Sequence, residues 1–476
     1  MKTETLETIY GKLPTPLQNL ACSLEGWKIN RQRLGDNFRQ YLSHYENHST
    51  WTHKKTTEYR DKRLKNFLIH CRDSVPYYRD LFKTLGINVE DIRGICDLKV
   101  IPVLTKETVQ RRYDDFLSES VSSKDHIVCH TSGTTGGGLR FASTSDAIAE
   151  QYAVWWRYRR AHGITMGTWC AYFGGRSIVP VNQTKPPFWR TNYPGRQIMF
   201  SAYHMNASNM EHYINKLNQS KPPWIHGYPS SIALLASFML DKNIHLTYKP
   251  SWLTIGAENL MHHQATIIEK AFEITPVQHY GMAEGVANIS QTIEGTLVVD
   301  EDFSAVEFEP TSSPDEYRII GTNFTNTATP LIRYDTGDLV RIDNKISSTS
   351  GVREVSFIDG RNEDYVVLHN GVKVGRLDHI FKDHTRIKEA QILQKRVGAL
   401  TIHIVRAKSY TNIDEQNLRL DLQNRLGKST EIVIHYKNEL QRTSNGKLRF
   451  VISEIENPSY NPNRNPLKTS NYDKNK

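Results

Sequence analysis

No apolar run in this 476-residue sequence approaches the roughly 18 residues that a membrane-spanning helix needs. The longest candidate, 232–240, reads as part of a core helix, so an integral membrane protein is not expected. Cysteine is scarce: five residues, at 22, 71, 96, 129 and 170, are too scattered for a disulfide framework or a Cys-x-x-Cys metal site. That usage suits a reducing cytoplasm. No apolar stretch follows the charges of Lys2 and Glu4, so no secretory signal is expected. The sequence lacks the Gly-Lys-Ser/Thr ending of a Walker A loop, which argues against an ordinary P-loop NTPase. Neither zinc-finger spacing nor RNA-reading aromatic motifs accompany its basic residues, and nucleic acid is not an expected partner.

What is present is a chain long enough for two or three domains, 38% apolar, with a net charge of +9. The charge is uneven: residues 360–476 hold 21 Lys plus Arg against 13 Asp plus Glu and supply +8 of it. Such a cluster is either a solvated face or an attractor of phosphate-bearing ligands. Residues 1–125 read as mainly helical, with a charged periodic stretch at 51–71 and Thr105 placed to N-cap a helix from Lys106. In 126–359, Val128 and the runs 169–173, 224–226, 252–255 and 277–280 read as buried strands, with helices after the second, third and fourth of these regions. That alternation predicts parallel strands with crossover helices. Antiparallel strands are expected after Asp338, and 360–364 marks a boundary. The small domain, 365–456, reads as a helix (377–381), a strand pair (390–395 and 400–405) joined across Gly398, a helix (414–426) and a strand (431–436). The tail, 457–476, is rich in Asn, Pro and Lys and is expected to be disordered.

The segment His130-Thr131-Ser132-Gly133-Thr134-Thr135-Gly136-Gly137-Gly138-Leu139-Arg140 alternates hydroxyls with glycines. Glycines let backbone approach an anion, and amide N–H groups and hydroxyls donate to phosphate oxygens. Four further segments follow in order: Tyr280-Gly281-Met282-Ala283-Glu284, Arg333-Tyr334-Asp335-Thr336-Gly337-Asp338-Leu339, Gly360-Arg361-Asn362-Glu363-Asp364 and Arg442-Thr443-Ser444-Asn445-Gly446-Lys447. Together the five resemble the adenylate-forming superfamily of acyl- and aryl-CoA synthetases and peptide-synthetase adenylation domains. The resemblance is closest to the phenylacetate-CoA ligase branch, and within it to proteins associated with capsular and other surface polysaccharides. Supporting segments are Asp73-Ser74-Val75-Pro76-Tyr77-Tyr78-Arg79, Ile101-Pro102-Val103-Leu104-Thr105-Lys106-Glu107, His226-Gly227-Tyr228-Pro229-Ser230 and Val374-Gly375-Arg376-Leu377-Asp378-His379-Ile380-Phe381, so the match spans about 70–455.

The resemblance implies an α/β fold: a large N-terminal α/β region of adenylate-forming architecture and a small mobile α+β C-terminal domain. It implies that the loop of Thr131, Ser132, Gly133, Thr134, Thr135 and Gly136 holds ATP phosphates. The usual loop lysine is absent, and Arg140 stands near its place. It assigns Glu284 to magnesium and Tyr280, beside Gly281, to the adenine. Asp338 would hold the ribose hydroxyls and Arg361 the nucleotide, while Gly256, Ala257 and Glu258 line the adenine and acyl pockets. Lys447 would bridge the acyl carboxylate and the α-phosphate, although the proline often found before the arginine is Gln441 here. Glu363 occupies the hinge, where an Asp or Lys is usual. The implied cofactors are ATP and Mg2+, with a carboxylic acid substrate and CoA as acceptor. The alternatives are transfer to an amine or hydroxyl of a sugar or to a carrier protein, and a non-catalytic nucleotide-binding scaffold. Trp169, Tyr172, Phe188, Trp189, Tyr203 and Trp224 offer an aryl pocket, although large aromatics are more often core or interface residues. The basic residues in 185–190 leave room for a polar or anionic acid.

Overall fold

The computed structural model describes residues 9–455 apart from 132–138, 181–182, 207, 259, 261, 312–314, 344–351, 361–365, 370–372, 375–376, 378–379, 382–383, 385, 407–409, 428, 439 and 441–450. The chain forms two compact units, Met1–Glu363 and Asp364–Lys476. Among the described residues no helix is long and apolar enough to cross a membrane.

The first unit begins with helices α1 (Thr15–Arg33), α2 (Phe38–Asn47), α3 (His53–Ser74), α4 (Pro76–Leu85) and α5 (Lys106–Arg111). Local chemistry sets their ends. The Thr52 and Thr105 side chains accept from the amides of Lys55 and Thr108, and Pro76 opens α4, which stops at Gly86 with φ +64°. A hairpin of β1 (Ile127–His130) and β2 (Arg140–Ser143) follows, then α6 (Ser145–Ala161), N-capped by Thr144. Val128 therefore belongs to an antiparallel hairpin and not to a strand of the parallel sheet. Its run is only four residues, and its partner lies just beyond the glycine-rich connection.

The remaining elements are β3 (Cys170–Gly174), β4 (Trp189–Asn192), β5 (Gln197–Ser201), α7 (Met210–Ser220), β6 (Trp224–Gly227), α8 (Pro229–Asp241), β7 (Trp252–Ile255), α9 (His262–Phe272), β8 (Val277–Gly281), β9 (Asn288–Gln291) and β10 (Leu297–Val299). Then come β11 (Ser304–Pro310), β12 (Glu316–Asn323), β13 (Tyr334–Arg341), β14 (Glu354–Val355) and β15 (Phe357–Gly360). One sheet has the order β14-β10-β9-β8-β7-β6-β3-β5-β4, and its centre, β8-β7-β6-β3-β5, is parallel. The connection from β3 first makes the antiparallel pair β4–β5 before α7, an excursion the apolar pattern did not separate. A four-stranded antiparallel sheet, β11-β12-β13-β15, carries the Arg333 to Leu339 segment.

The two faces of the large sheet differ. One is apolar: Ala171, Phe173, Ile225, Leu253 and Ile255 pack with Ile214 and Leu217 of α7, Ile232, Leu235 and Met239 of α8, and Ile268 of α9. The run 232–240 is thus core helix, as read. On the other face, register places Tyr172, His226 and Thr254 side by side, with His279 two residues beyond the Val277 that pairs with Thr254. Helix α6 covers this polar-aromatic face.

The second unit contains β16 (Val366–Val367), β17 (Lys373–Val374), β18 (Ile387–Arg396), β19 (Ala399–Arg406), α10 (Asn412–Leu426), β20 (Glu431–Tyr436) and β21 (Val451–Ser453). Its main sheet, β20-β19-β18-β21, turns between β18 and β19 at Gly398, whose φ is +74°. Ile392, Ile402, Ile404, Leu418 and Leu422 form its core.

Candidate active site

Four neighbouring parallel strands end in or at a glycine: Gly174 on β3, Gly227 on β6, Gly256 just after β7 and Gly281 on β8. At Gly227 a Cβ would lie 2.1 Å from the Phe173 carbonyl oxygen, and at Gly281 one would lie 2.8 Å from Asn288 Oδ1. Side chains are excluded there, and backbone lines the carboxyl ends of the strands, where open α/β sheets bind ligands. Ala257, next to Gly256, takes φ +65°, a left-handed conformation that a non-glycine residue holds only under tertiary constraint.

Tyr280 and Asp338 meet. The Tyr280 hydroxyl donates to Asp338 Oδ2 at 2.8 Å, joining β8 of the large sheet to β13 of the smaller one. Burial first, then the Asp338 charge, holds this phenol well above its usual range, so it stays a donor. Asp338 is itself fixed: its amide donates to Thr336 Oγ1 at 3.0 Å across Gly337, which has φ +74°. Glu284 is only 5% exposed, and its carbonyl accepts from Asn323 Nδ2 at 2.8 Å. Its carboxylate lies within electrostatic reach of Cys129, whose thiol is pushed up by burial and then by Glu284. Glu284 is therefore near the β1 end of the glycine-rich segment. Thr131 closes that segment's base, its amide donating to the Leu139 carbonyl and its Oγ1 accepting from the Leu139 amide, both at 2.9 Å.

Glu258 is half-buried, and Arg140 sits over the Tyr113 ring, 4.7 Å from its centroid. Ser132, Gly133, Thr134, Thr135, Gly136, Arg361, Glu363 and Lys447 lie outside the described residues. Arg333 is not at the strand ends. Its guanidinium is buried between Glu307, Glu309 and the Ile101 carbonyl and ties β13 to β11. Of the aromatic candidates for an acyl pocket, Tyr172 and Trp224 lie on the face under α6. Phe188 is instead core, stacked on His204 and Tyr213, and Trp189 lies on the outermost strand, β4.

Sequence reasoning gave no role to the residues of α6 that lie across the sheet. Gln151 Nε2 donates to the Met282 carbonyl at 2.6 Å, and Trp155 Nε1 donates to Asn288 Oδ1 at 3.0 Å. Tyr158 stacks on His279, and Arg159 reaches over Trp224. Burial drives both His226 and His279 down to about 3, with Arg159 the next cause, so both imidazoles are neutral. The signal was available: positions 152, 155 and 159 share one helix face by i, i+3 and i+7 spacing.

Comparison with known proteins adds four findings. Residues 367–454 match the family described as the CapK C-terminal domain. The chain is 28% identical over 462 residues to Protein CapK of Staphylococcus aureus, covering 95% of this chain and 100% of that one. It is 25% identical over 346 residues to the phenylacetate-coenzyme A ligase of Escherichia coli K12, covering 66% and 72%. A crystal structure of 2-hydroxyisobutyryl-CoA ligase in complex with 2-HIB-AMP and CoA superposes with a TM-score of 0.53 at 17% identity, over 85% of this chain and 91% of that one. At that identity the likeness is one of fold.

Proposed function

We infer that this chain, which belongs to the adenylate-forming superfamily, is an ATP-dependent ligase that activates a carboxylic acid as its acyl-adenylate and then passes the acyl group to CoA. The observation that carries the reading is the Tyr280–Asp338 hydrogen bond beside a row of glycine strand ends, with buried Glu284 two residues past Met282. Adenylation joins a carboxylate oxygen to the α-phosphorus and expels pyrophosphate, so the site must position two anions and stabilise the charge that develops. Asp338 supplies an acceptor for ribose hydroxyls, and Tyr280 holds that carboxylate in place. Ser132, Gly133, Thr134, Thr135 and Gly136 offer amides and hydroxyls to the phosphates, Gly256, Ala257 and Glu258 line the nucleotide and acyl side, and Arg361 contacts the nucleotide. Lys447 bridges carboxylate and α-phosphate, and Glu363 is the hinge on which the small domain turns.

A magnesium ion, when bound, neutralises phosphate charge. Glu284 fits it, being a hard oxygen ligand at the strand ends, and Mg2+ is commonly held by one or two carboxylates together with phosphate oxygens. A place in surface polysaccharide biosynthesis follows from the resemblance to capsule-associated proteins and is part of the proposal. The test is carboxylate-dependent exchange of pyrophosphate into ATP, followed by mass detection of a CoA thioester. No exchange across a broad acid panel refutes the ligase. Exchange without thioester moves the acceptor to a sugar amine or hydroxyl or to a carrier protein.

A further inference from the structure

Helix α6 descends across the polar face of the sheet antiparallel to the strands. Gln151 lies at the level of Met282, beyond the strand ends, and Trp155 meets Asn288, the partner of Gly281. Tyr158 and Arg159 reach His279 and Trp224, and the carbonyl of His162 accepts from Nε1 of Trp252, the first residue of β7. Trp155, Trp156, Arg159, Tyr172, His226 and His279 are inward-facing side chains of two packed layers, and each is largely buried yet keeps a minor part of its surface uncovered. Interiors are close-packed, so surface retained between layers marks space that the protein does not fill. Along the strands these residues run from the glycine ends down to Trp224, two to four residues lower, roughly 7–13 Å at about 3.3 Å per residue.

At its lower end sits Arg159, 5.0 Å from the Trp156 ring centroid and 5.5 Å from that of Trp224. Among the described residues its guanidinium has no carboxylate partner and no hydrogen-bond acceptor. A charged group within its electrostatic reach is another cation, Arg33, which covers the Tyr152 ring at 4.6 Å and likewise has no carboxylate partner among the described residues. Burial lowers the Arg159 value against the opposing pull of Tyr152, Tyr158 and Cys170, and Arg33 adds a smaller push in the same direction as burial. The imidazoles of His226 and His279 are neutral and supply no counter-charge. Natural interiors compensate a buried cation, and here aromatic faces do so in part while the donors of the guanidinium stay unused.

We propose that Arg159, with Arg33 within its electrostatic reach, selects the acid: the substrate is a carboxylic acid that carries a second anionic group about an aromatic ring's length from the carboxylate to be adenylated. This rests on the ligase reading above. The reacting carboxylate stays at the glycine strand ends, the spacer lies between Trp155, Tyr172 and His226, and the distal anion accepts a fork of hydrogen bonds from Arg159. A neutral acid of the same shape leaves the guanidinium unsatisfied, and loss of a charge-assisted bidentate contact corresponds to about 10- to 100-fold.

The experiment uses the full chain and a matched pair, 4-carboxyphenylacetate and phenylacetate, in two assays: calorimetric binding without ATP, and ATP–pyrophosphate exchange. Wild type is expected to favour the diacid at least tenfold in both. Arg159→Met should bring the two acids within threefold by weakening only the diacid, and Arg159→Lys should keep part of the preference. Equal affinities in wild type, no binding of the diacid, or an Arg159→Met variant that loses both acids alike overturns the proposal. Should Arg159→Met fail to fold, the wild-type preference and its reduction in Arg33→Gln decide the matter. Arginine-dependent binding of the diacid with no exchange refutes the ligase and keeps the anion site. Exchange with phenylacetate and no preference does the reverse.

Discussion

Replacing Arg333 with methionine should unfold the protein more easily without touching its chemistry. Arg333 is 4% exposed, and its Nε contacts both Glu307 oxygens at 2.9 and 3.1 Å. Its remaining nitrogens reach Glu309 Oε1 and the Ile101 carbonyl, both at 2.7 Å. Glu309 keeps Arg318 at 2.6 Å, but Glu307 is 6% exposed and loses its cation. Breaking one side of a buried pair costs about 3–5 kcal/mol because a charge is left unpaired. Near 2 °C per kcal/mol for a large domain, the melting temperature falls by roughly 6–10 °C. Methionine keeps the Cβ at φ +50°, so backbone strain is unchanged. Burial already pushes Glu307 above its ordinary 4.5 against the pull of Arg333, and the variant raises it further. A raised carboxyl stabilises the fold fully below its unfolded value and loses that contribution as pH climbs through the folded value. The gap to wild type should therefore be small near pH 4.5 and widen toward neutrality. Thermal melts across that range, with pyrophosphate exchange measured well below the transition, supply the data. A variant that melts within 2 °C of wild type refutes the reasoning, as does one that keeps its stability and loses ATP affinity. Adding Glu307→Gln should restore part of the loss.

Lys447→Ala should lower acyl-adenylate formation about 10²- to 10³-fold, the usual effect of losing one electrostatic contact to a transition state, with ATP binding kept; adenylation within threefold of wild type removes the residue from the site. Glu284→Gln should raise the magnesium concentration needed for adenylation, since an amide is the weaker ligand, whereas Asp338→Ala should weaken ATP binding; magnesium titrations and nucleotide affinity read the two separately. Glu363→Pro fixes φ near −65° and should spare adenylation while slowing transfer. If the +8 of residues 360–476 recruits phosphate-bearing CoA, transfer should fall with salt more steeply than adenylation, and equal slopes would end that idea.

Strands β3, β6, β7 and β8 of the parallel sheet were legible because each is a short run followed by glycine or a polar turn. The runs read at 224–226, 252–255 and 277–280 are strands at 224–227, 252–255 and 277–281. In the small unit, alternation at Ile402, Ile404, Ile432 and Ile434 located β19 and β20, with the strand at 431–436 matched end to end. Val128 was misplaced for a physical reason. Four residues of a hairpin and four of a buried parallel strand have the same composition, and only the partner tells them apart. Strand β4 escaped because Trp189, Arg190, Thr191 and Asn192 carry no apolar alternation, and β5, although it holds the apolar run Ile198, Met199 and Phe200, was not read as a strand. Arg190 is buried there, bonded to Gln18 and to the carbonyls of Pro187 and Trp189.

The candidate site divides along a similar line. Segments whose backbone must take one shape, such as the turn at Gly337 that presents Asp338, are written locally and can be read from one stretch of chain. A pocket that discriminates between acids is assembled across elements. Trp155 and Arg159 come from one helix, Tyr172, His226 and His279 from three strands, and Arg33 from a helix more than a hundred residues away in sequence. None of these is unusual for its own segment, and in the run 155–160 arginine and tryptophan read as an ordinary amphipathic helix. Their meaning comes from which charges are missing around them, and that is a property of the folded layers alone. The chemistry of adenylation can therefore be fixed by motifs while the identity of the acid is not. Selection acts on the first as a local pattern and on the second as the charge balance of a cavity, and it is in that balance, the Arg159 guanidinium beside neutral imidazoles and within reach of a second cation, Arg33, that an anionic substrate is implied.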